Sequence, residues 1–498
     1  MPLFRRILVA NRGEIALRVI RTAQEMGIET VAVFSDADRN ALHVRRAAHA
    51  VHIGGSRPSE SYLDIGKIVD ACVRTGSDAV HPGYGFLSEN EDFAAACAQA
   101  KVAFLGPPPA AIAAMGDKVE ARRIAQQAGV PLVPGLQEEV DAPRLAAAAK
   151  QVGYPVMLKA AAGGGGKGIR IVRSEKELVP AFEMARAEAQ GAFGDDRIYL
   201  EKFVTRPRHV EIQVMADQHG NVVAYGEREC SVQRRHQKLV EESPCAALTP
   251  QLRAGMQKAA CDLSKRVGYV GAGTVEFLFS EGRFYFLEMN TRLQVEHPVT
   301  EVRFGVDLVE EQIRVGAGEK LRPVGEPRGH AIEVRINAED PQTFFPSLGK
   351  IVRLNLPGGP GVRLDSAMYR GLEVTPYYDS MLGKVIVHGE DRAHAIARCE
   401  RALRELRIVG VATSAPVALR TLRSEEFRSG DYDTGILERI PKGAPERTEL
   451  ALLAAAAARF LGAERAGAAA AATASAGAGS APRWALLGRA ERLRRPWR

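Results

Sequence analysis

The sequence predicts a multidomain protein that combines α/β and α+β architecture, and three observations carry that expectation. Residues 1–115 alternate short apolar runs with segments of helical periodicity, as a doubly wound sheet requires. A run of glycines at 163–168 stands between two strand-like segments and marks a second, smaller unit. Farther on, a carboxylate-rich hairpin over 274–298 belongs to a third and larger unit. A chain of 498 residues also exceeds what one hydrophobic core supports, so several domains are required.

Taken in order, residues 5–23 read as an apolar strand, a tight turn at Gly13 and a helix with apolar positions Ile15, Val19, Ile20 and Ala23. Val31-Ala-Val-Phe34 is the next strand, and the alternation repeats through 65–73, 79–80 and 93–100. The first turn is Asn11-Arg12-Gly13-Glu14 rather than G-x-G-x-x-G, which argues against a dinucleotide-binding domain and so against a nicotinamide oxidoreductase. An amphipathic helical stretch over 118–128 leads through Pro131 and Pro134 into the second unit. There, 155–160 is a strand, 161–168 a glycine loop and 169–172 another strand. Glu201-Lys-Phe-Val204 reads as a strand leading out, with a hinge near residue 203.

The loop Gly163-Gly-Gly-Gly-Lys-Gly168 lacks the helix that follows a Walker-type loop, yet its backbone can approach phosphate oxygens closely and direct N–H groups at them. Lys167 and Lys159 place positive charge nearby, which favours this reading over a surface turn.

The hairpin carries the most chemistry. With a turn centred on Glu281-Gly282, Glu276 and Glu288 face each other almost directly on one side of the ribbon. Two carboxylates that close repel unless a divalent cation lies between them, and an oxygen-rich pair suits Mg²⁺ or Mn²⁺. The period-2 pattern continues: Glu288, Asn290, Arg292, Gln294 and Glu296 are polar, whereas Leu287, Met289, Leu293 and Val295 are apolar. A solvated edge strand would give the same alternation, but the facing Glu276 favours a site for metal, phosphate and anion. A further cluster at 229–242 includes His236 and Lys238, which can bind anions or belong to a solvated loop. His209 falls on a strand as either a ligand or a core histidine.

Composition narrows the class. Of the net charge of +7, residues 446–498 contribute +5 through nine Arg and four Glu, so the rest of the chain is nearly balanced. No basic stripe with interleaved aromatics appears, and a nucleic-acid partner is not expected. The tail is Ala-, Gly-, Ser- and Arg-rich; it allows a helix over 451–465 and a flexible low-complexity stretch at 467–482. Six scattered cysteines without a CxxC pair argue against a disulfide scaffold or structural zinc. With no membrane-spanning run and no signal-peptide layout, a cytoplasmic protein without a membrane partner is expected.

Across residues 3–440 the sequence resembles the biotin carboxylases of the ATP-grasp superfamily. The motifs stand in order: ILVANRGEIA at 7–16, HPGYGFLSEN at 81–90, MGDK at 115–118, AAAGGGGKGIR at 160–170, RHVEIQV at 208–214, QRRHQK at 233–238, EMNTRLQVEHPVTE at 288–301, RINAEDP at 335–341 and YYDSMLGK at 377–384. The resemblance implies an N-terminal doubly wound domain over 1–115, linker helices and an ATP-grasp lid over 116–203, an ATP-grasp central domain over 204–334 and a C-terminal biotin carboxylase domain over 335–445, followed by the tail. It implies that ATP is held by Lys118, Lys159, Gly164, Gly165, Gly166, Glu201, Val204, His209, Gln233, His236 and Leu278, and that Glu276, Glu288 and Asn290 ligate two Mg²⁺ or Mn²⁺ ions. Lys238, Arg292, Gln294 and Val295 would place bicarbonate, Glu296 would be its general base, Arg335 would stabilise a biotin enolate and Tyr84 would line the biotin site.

The resemblance also implies a homodimer. Ser414 stands where the family usually carries Asn, outside the catalytic set. No Ala-Met-Lys-Met carrier motif occurs, and there is no length for a carboxyltransferase, so the chain is expected to be one component of a larger enzyme. Its partners would be a biotin carboxyl carrier protein and a carboxyltransferase subunit of an acetyl-CoA, acyl-CoA or pyruvate carboxylase. The alternatives are another bicarbonate-using ATP-grasp ligase, such as a carbamoyl phosphate synthetase, and a non-catalytic nucleotide-binding relative. QRRHQK and RLQVEHPVTE speak against the first, and the presence of Lys238, Arg292, Glu296 and Arg335 against the second.

Overall fold

Five parallel strands, ordered His49–Gly54, Glu29–Ser35, Arg6–Val9, Ala79–His81 and Ala103–Phe104, form the N-terminal sheet. The structure is a computed structural model and describes residues 3–136, 142–160, 169–234 and 237–441, together with residue 459. The expected glycine loop with Gly164, Gly165 and Gly166, the expected nucleotide ligand His236 and the expected tail helix and flexible stretch lie outside the described residues, residue 459 apart. Met1–Pro441 and Lys442–Arg498 are separate units, and the first carries every strand and helix named here.

The helix Gly13–Glu25 packs on this sheet because its 3.6-residue pattern puts Ile15, Val19, Ile20 and Ala23 on one face; none is more than 3% exposed. Asp64 and Asn90 cap Ile65–Thr75 and Glu91–Gln99 by accepting from the backbone N–H of Lys67 and Phe93. Asp117 likewise caps Lys118–Gln127, the helix expected between the first two units.

A four-stranded antiparallel sheet follows in the order Gly135–Leu136, Ile198–Lys202, Val156–Ala160 and Arg170–Val172. Val156 pairs with Val172 and Leu158 with Arg170, so the segments flanking the glycine run are hairpin partners. The strand expected from Glu201 begins earlier, at Ile198, and stops at Lys202, leaving Val204 beyond it. Ile198 and Leu200 explain the shift: both enter the core with Leu158, Leu178 and Phe182.

The large sheet has eight antiparallel strands in the order Arg283–Asn290, Gly271–Ser280, Arg208–Ala216, Val222–Arg234, Gln237–Ser243, His330–Asn337, Met381–Gly389 and Val362–Ser366. One strand, His330–Asn337, therefore runs across residues 334 and 335. The first two strands turn at Glu281 (φ 50°) and Gly282 (φ 72°), a two-residue turn with both residues left-handed that pairs Ser280 with Arg283. Continued unchanged, that register would set Leu287 opposite Glu276. A bulge, with Phe277 opposite Phe286 and Glu276 opposite Glu288, advances it by one residue and brings the two carboxylates face to face.

The strand does not continue through Glu296 as the alternation predicted. It ends at Asn290, and residues 291–296 lead into the helix His297–Phe304. The Thr291 N–H donates to Glu89 at 3.0 Å instead of to a neighbouring strand, and Leu293 is buried among N-terminal side chains. Among the described residues no helix is long and apolar enough to cross a membrane.

Candidate active site

Strand register builds the site. Glu211 lies opposite Arg228 on one side and Glu276 on the other, and Glu276 lies opposite Glu288. Directly opposed residues share a face, so one guanidinium and three carboxylates form a row across four strands. His209 and Gln213 flank Glu211 on the same face, opposite Leu278 and Thr274.

Lys238, from the neighbouring strand, crosses this row. Its Nζ donates to Glu211 Oε2 at 2.6 Å, Glu276 Oε1 at 3.0 Å and Glu296 Oε1 at 2.6 Å. Arg335 holds the other oxygen of Glu296: its Nη2 lies 2.9 Å from Oε2, while its Nε donates to Glu241 at 2.6 Å. Glu276 also accepts from Asn290 Nδ2 at 2.9 Å and Gln294 Nε2 at 2.7 Å, and His209 Nε2 is 2.8 Å from its Oε2. Arg292 turns back along the segment, with Nη2 on Asn290 Oδ1 at 2.9 Å and Nε on Glu89 at 2.7 Å. The fully buried Arg228 ties these parts together, bonding Glu211 at 2.5 Å, Gln213 at 2.6 Å and Gln294 at 2.9 Å.

Charge in this enclosure is set by pairing. Burial alone would lower the pKa of Lys238, but Glu211, Glu276 and Glu296 raise it well above its usual value. Burial likewise opposes ionisation of Glu296, yet Lys238, Arg335 and Arg228 hold its carboxyl well below the ordinary range. Glu276 is also held low, against burial, by Lys238 and His209. Glu288 moves the other way, raised by burial and by the facing Glu276. An oxygen-donor pair whose second member resists ionisation beside the first fits a hard divalent cation, which would relieve that repulsion. His209, Glu211 and Glu276 also bring possible ligand atoms within 4.8 Å of one another, as do Glu211, Cys230 and Glu296.

The remaining expected residues lie around this centre. Lys159 donates to Glu201 at 2.6 Å, and Arg122 holds the other oxygen of Glu201. Lys118 opens its helix and its charge reaches Glu288. Gln233 pairs with Lys238 in register, and Val204 is half-buried. The Val295 carbonyl accepts from Lys384, whose ammonium stands 5.9 Å from the Tyr84 ring centre. Sequence reasoning did not single out Glu211, Arg228, Glu241, Arg122 or Lys384. Glu211 was within reach, two residues from His209 on the same face of a strand. Arg228 stands between Glu227 and Glu229, and Lys384 is an isolated charge in an apolar strand; both become meaningful only through cross-strand pairing.

The chain matches three family models: biotin carboxylase, N-terminal domain, over residues 3–112; carbamoyl-phosphate synthase L chain, ATP binding domain, over 117–324; and biotin carboxylase C-terminal domain over 333–439. It is 52% identical over 445 residues to the biotin carboxylase of a Nostoc species, covering 88% of this chain and 100% of that one. Among solved structures, a Campylobacter jejuni biotin carboxylase in a β,γ-ATP complex superposes with a TM-score of 0.85 at 47% identity, covering 88% of this chain and 99% of that one. A Hydrogenobacter thermophilus biotin carboxylase domain dimer, in complex with MgADP, ADP and bicarbonate, gives 0.83 at 47% identity, with 87% and 97% covered.

Proposed function

The chain belongs to the biotin carboxylase family of ATP-dependent ligases, and on that premise we propose how its residues carboxylate biotin. The convergence of Lys238 and Arg335 on the two oxygens of Glu296 carries the reading. A carboxylate clamped by two cations, next to a second carboxylate cluster, is arranged to exchange those cations with an incoming anion.

Bicarbonate takes over contacts with Lys238, Arg292, Gln294 and the Val295 backbone, which frees Glu296 to accept its proton. The bicarbonate oxygen attacks the γ-phosphate of ATP, the bond to ADP breaks, and carboxyphosphate forms. It divides into CO2 and phosphate; the phosphate takes the N1′ proton of biotin, and the enolate, stabilised by Arg335, attacks CO2 through N1′. Glu276, Glu288 and Asn290 would hold Mg²⁺ or Mn²⁺, two ions in all, which supply positive charge to phosphate oxygens. Lys118, Lys159, Glu201, Val204, His209, Gln233, His236 and Leu278 hold the nucleotide in this reading. Gly164, Gly165 and Gly166 are taken to bind its phosphates, and Tyr84 to line the biotin pocket. A closed lid keeps water from the phosphorylated intermediate.

Biotin is taken to arrive on a separate carrier protein, with a carboxyltransferase subunit completing the cycle and the chain acting as a homodimer in the cytoplasm. The dimer described for the Hydrogenobacter domain supports the third of these. Six free cysteines suit a reducing compartment. The test is bicarbonate-dependent ATP turnover with free biotin or ammonia as acceptor. Stimulation by biotin is expected; stimulation by ammonia alone would assign the chain to carbamoyl-phosphate chemistry instead.

A further inference from the structure

We infer that Lys384 is a positioning residue for the reaction: its buried ammonium holds the Val295 carbonyl and thereby fixes the peptide that presents Glu296. The inference rests on the reading of residues 292–296 as the bicarbonate segment and adds a residue outside it.

The argument begins with the backbone. Residues 291–296 have left the strand ladder, and side chains supply contacts that hold their backbone. Glu89 takes the N–H of Thr291 at 3.0 Å, His297 Nδ1 lies 2.8 Å from the carbonyl of Gln294, and Lys384 takes the carbonyl of Val295. The third contact acts on the peptide bond leading directly into Glu296. Lys384 sits opposite Arg335 in register, so one strand pair provides both the guanidinium on the Glu296 carboxylate and the ammonium on its main chain.

Lys384 is 0% exposed. Burying an ammonium is costly, and an apolar residue of similar length would fill the space more favourably if packing were its only task. The nearest ionic partner is Glu14, whose Oε1 is 3.8 Å from Nζ; neither oxygen of Glu14 has a hydrogen-bond partner. The charge pair is therefore loose, whereas the bond to Val295 is close. Neutralising Glu14 and holding Val295 are separable tasks.

Their separation is the test. Lys384→Met takes the nearest cation from Glu14 and a positive charge from the buried Glu333 and Asp365, and the double variant Glu14→Gln, Lys384→Met removes the Glu14 charge too. For the double variant we expect a Tm above that of Lys384→Met, an ATP KM within about twofold of the parent, and bicarbonate-dependent turnover with free biotin still down roughly 10- to 100-fold, the scale of a misplaced reacting group. Turnover that recovers together with Tm would overturn the proposal, leaving Lys384 as a counter-ion only. Should the double variant fail to fold, Lys384→Gln, which can still donate to the carbonyl, is compared with Lys384→Met: higher turnover in the glutamine variant supports the proposal, and equal turnover refutes it. Glu296→Gln assayed alongside keeps the two readings apart, because full activity there would remove the bicarbonate segment itself.

Discussion

The ammonium of Lys238 lies 2.6 Å from Oε1 of Glu296, with both side chains buried. This contact, together with Arg335 on Oε2, keeps the proposed base ionised and occupied until an anion draws the cations away. Glu296→Gln preserves the shape and the acceptor but has no carboxylate to take a proton. Carboxylation of biotin should fall by about 10² to 10⁴-fold, while ATP binding measured by calorimetry stays within a few-fold. Retained turnover would remove Glu296 from the role of base.

Arg335 bonds Glu241 and Glu296 through two different nitrogens, a geometry that lysine cannot reproduce. Arg335→Lys keeps the charge and spares Glu241 a buried, unpaired state. The kcat with biotin is expected to drop at least about tenfold, with the ATP KM nearly unchanged. An equal loss in ATP affinity would instead place Arg335 at the nucleotide.

Glu288 faces Glu276 and, through burial and that neighbour, resists ionisation. Glu288→Gln removes a like-charge contact and one cation ligand together. The Mg²⁺ concentration for half-maximal turnover should rise roughly 10- to 100-fold, with Tm in the absence of metal unchanged or higher. Chelation by EDTA should stop turnover in the parent, and added Mg²⁺ should restore it. A variant with lower Tm and unchanged Mg²⁺ dependence would make Glu288 a structural residue.

Much of this site was legible in the sequence because it rests on local pattern. The helix face of Ile15, Val19, Ile20 and Ala23 and the turn at Glu281-Gly282 follow from residue spacing, which also brings Glu288 within one position of facing Glu276; the bulge that completes that pairing leaves no mark in the spacing. The path of residues 291–296 did not, because alternation records which side chains are polar, not whether the backbone still has a strand to bond. Glu89, about two hundred positions away, supplies the acceptor that ends the ladder. Arg228 escaped for a related reason: its partners come from strands Arg208–Ala216 and Gly271–Ser280 and from residues 294 and 300.

The strand that carries Lys238 and Glu241 is anchored at its far end by Glu242, and this anchor should fail in acid. Glu242 accepts from His330 Nε2 at 2.6 Å, Arg392 at 2.8 and 2.9 Å, and Tyr432 at 2.5 Å. Burial pushes its pKa upward, but the bonds from His330 and Arg392 prevail and bring it to about 2 from an ordinary 4.5. Because the folded value is the lower one, the stabilisation is complete above about pH 4.5 and is lost as pH falls toward 2. A shift of that size corresponds to roughly 3 kcal/mol. Urea unfolding of the parent and of Glu242→Gln should therefore show a stability gap that is widest at neutral pH and narrows steadily below about pH 4.5. A gap independent of pH would mean that Glu242 contributes through shape alone, and the register of Lys238 would then depend on packing rather than on this ionic anchor.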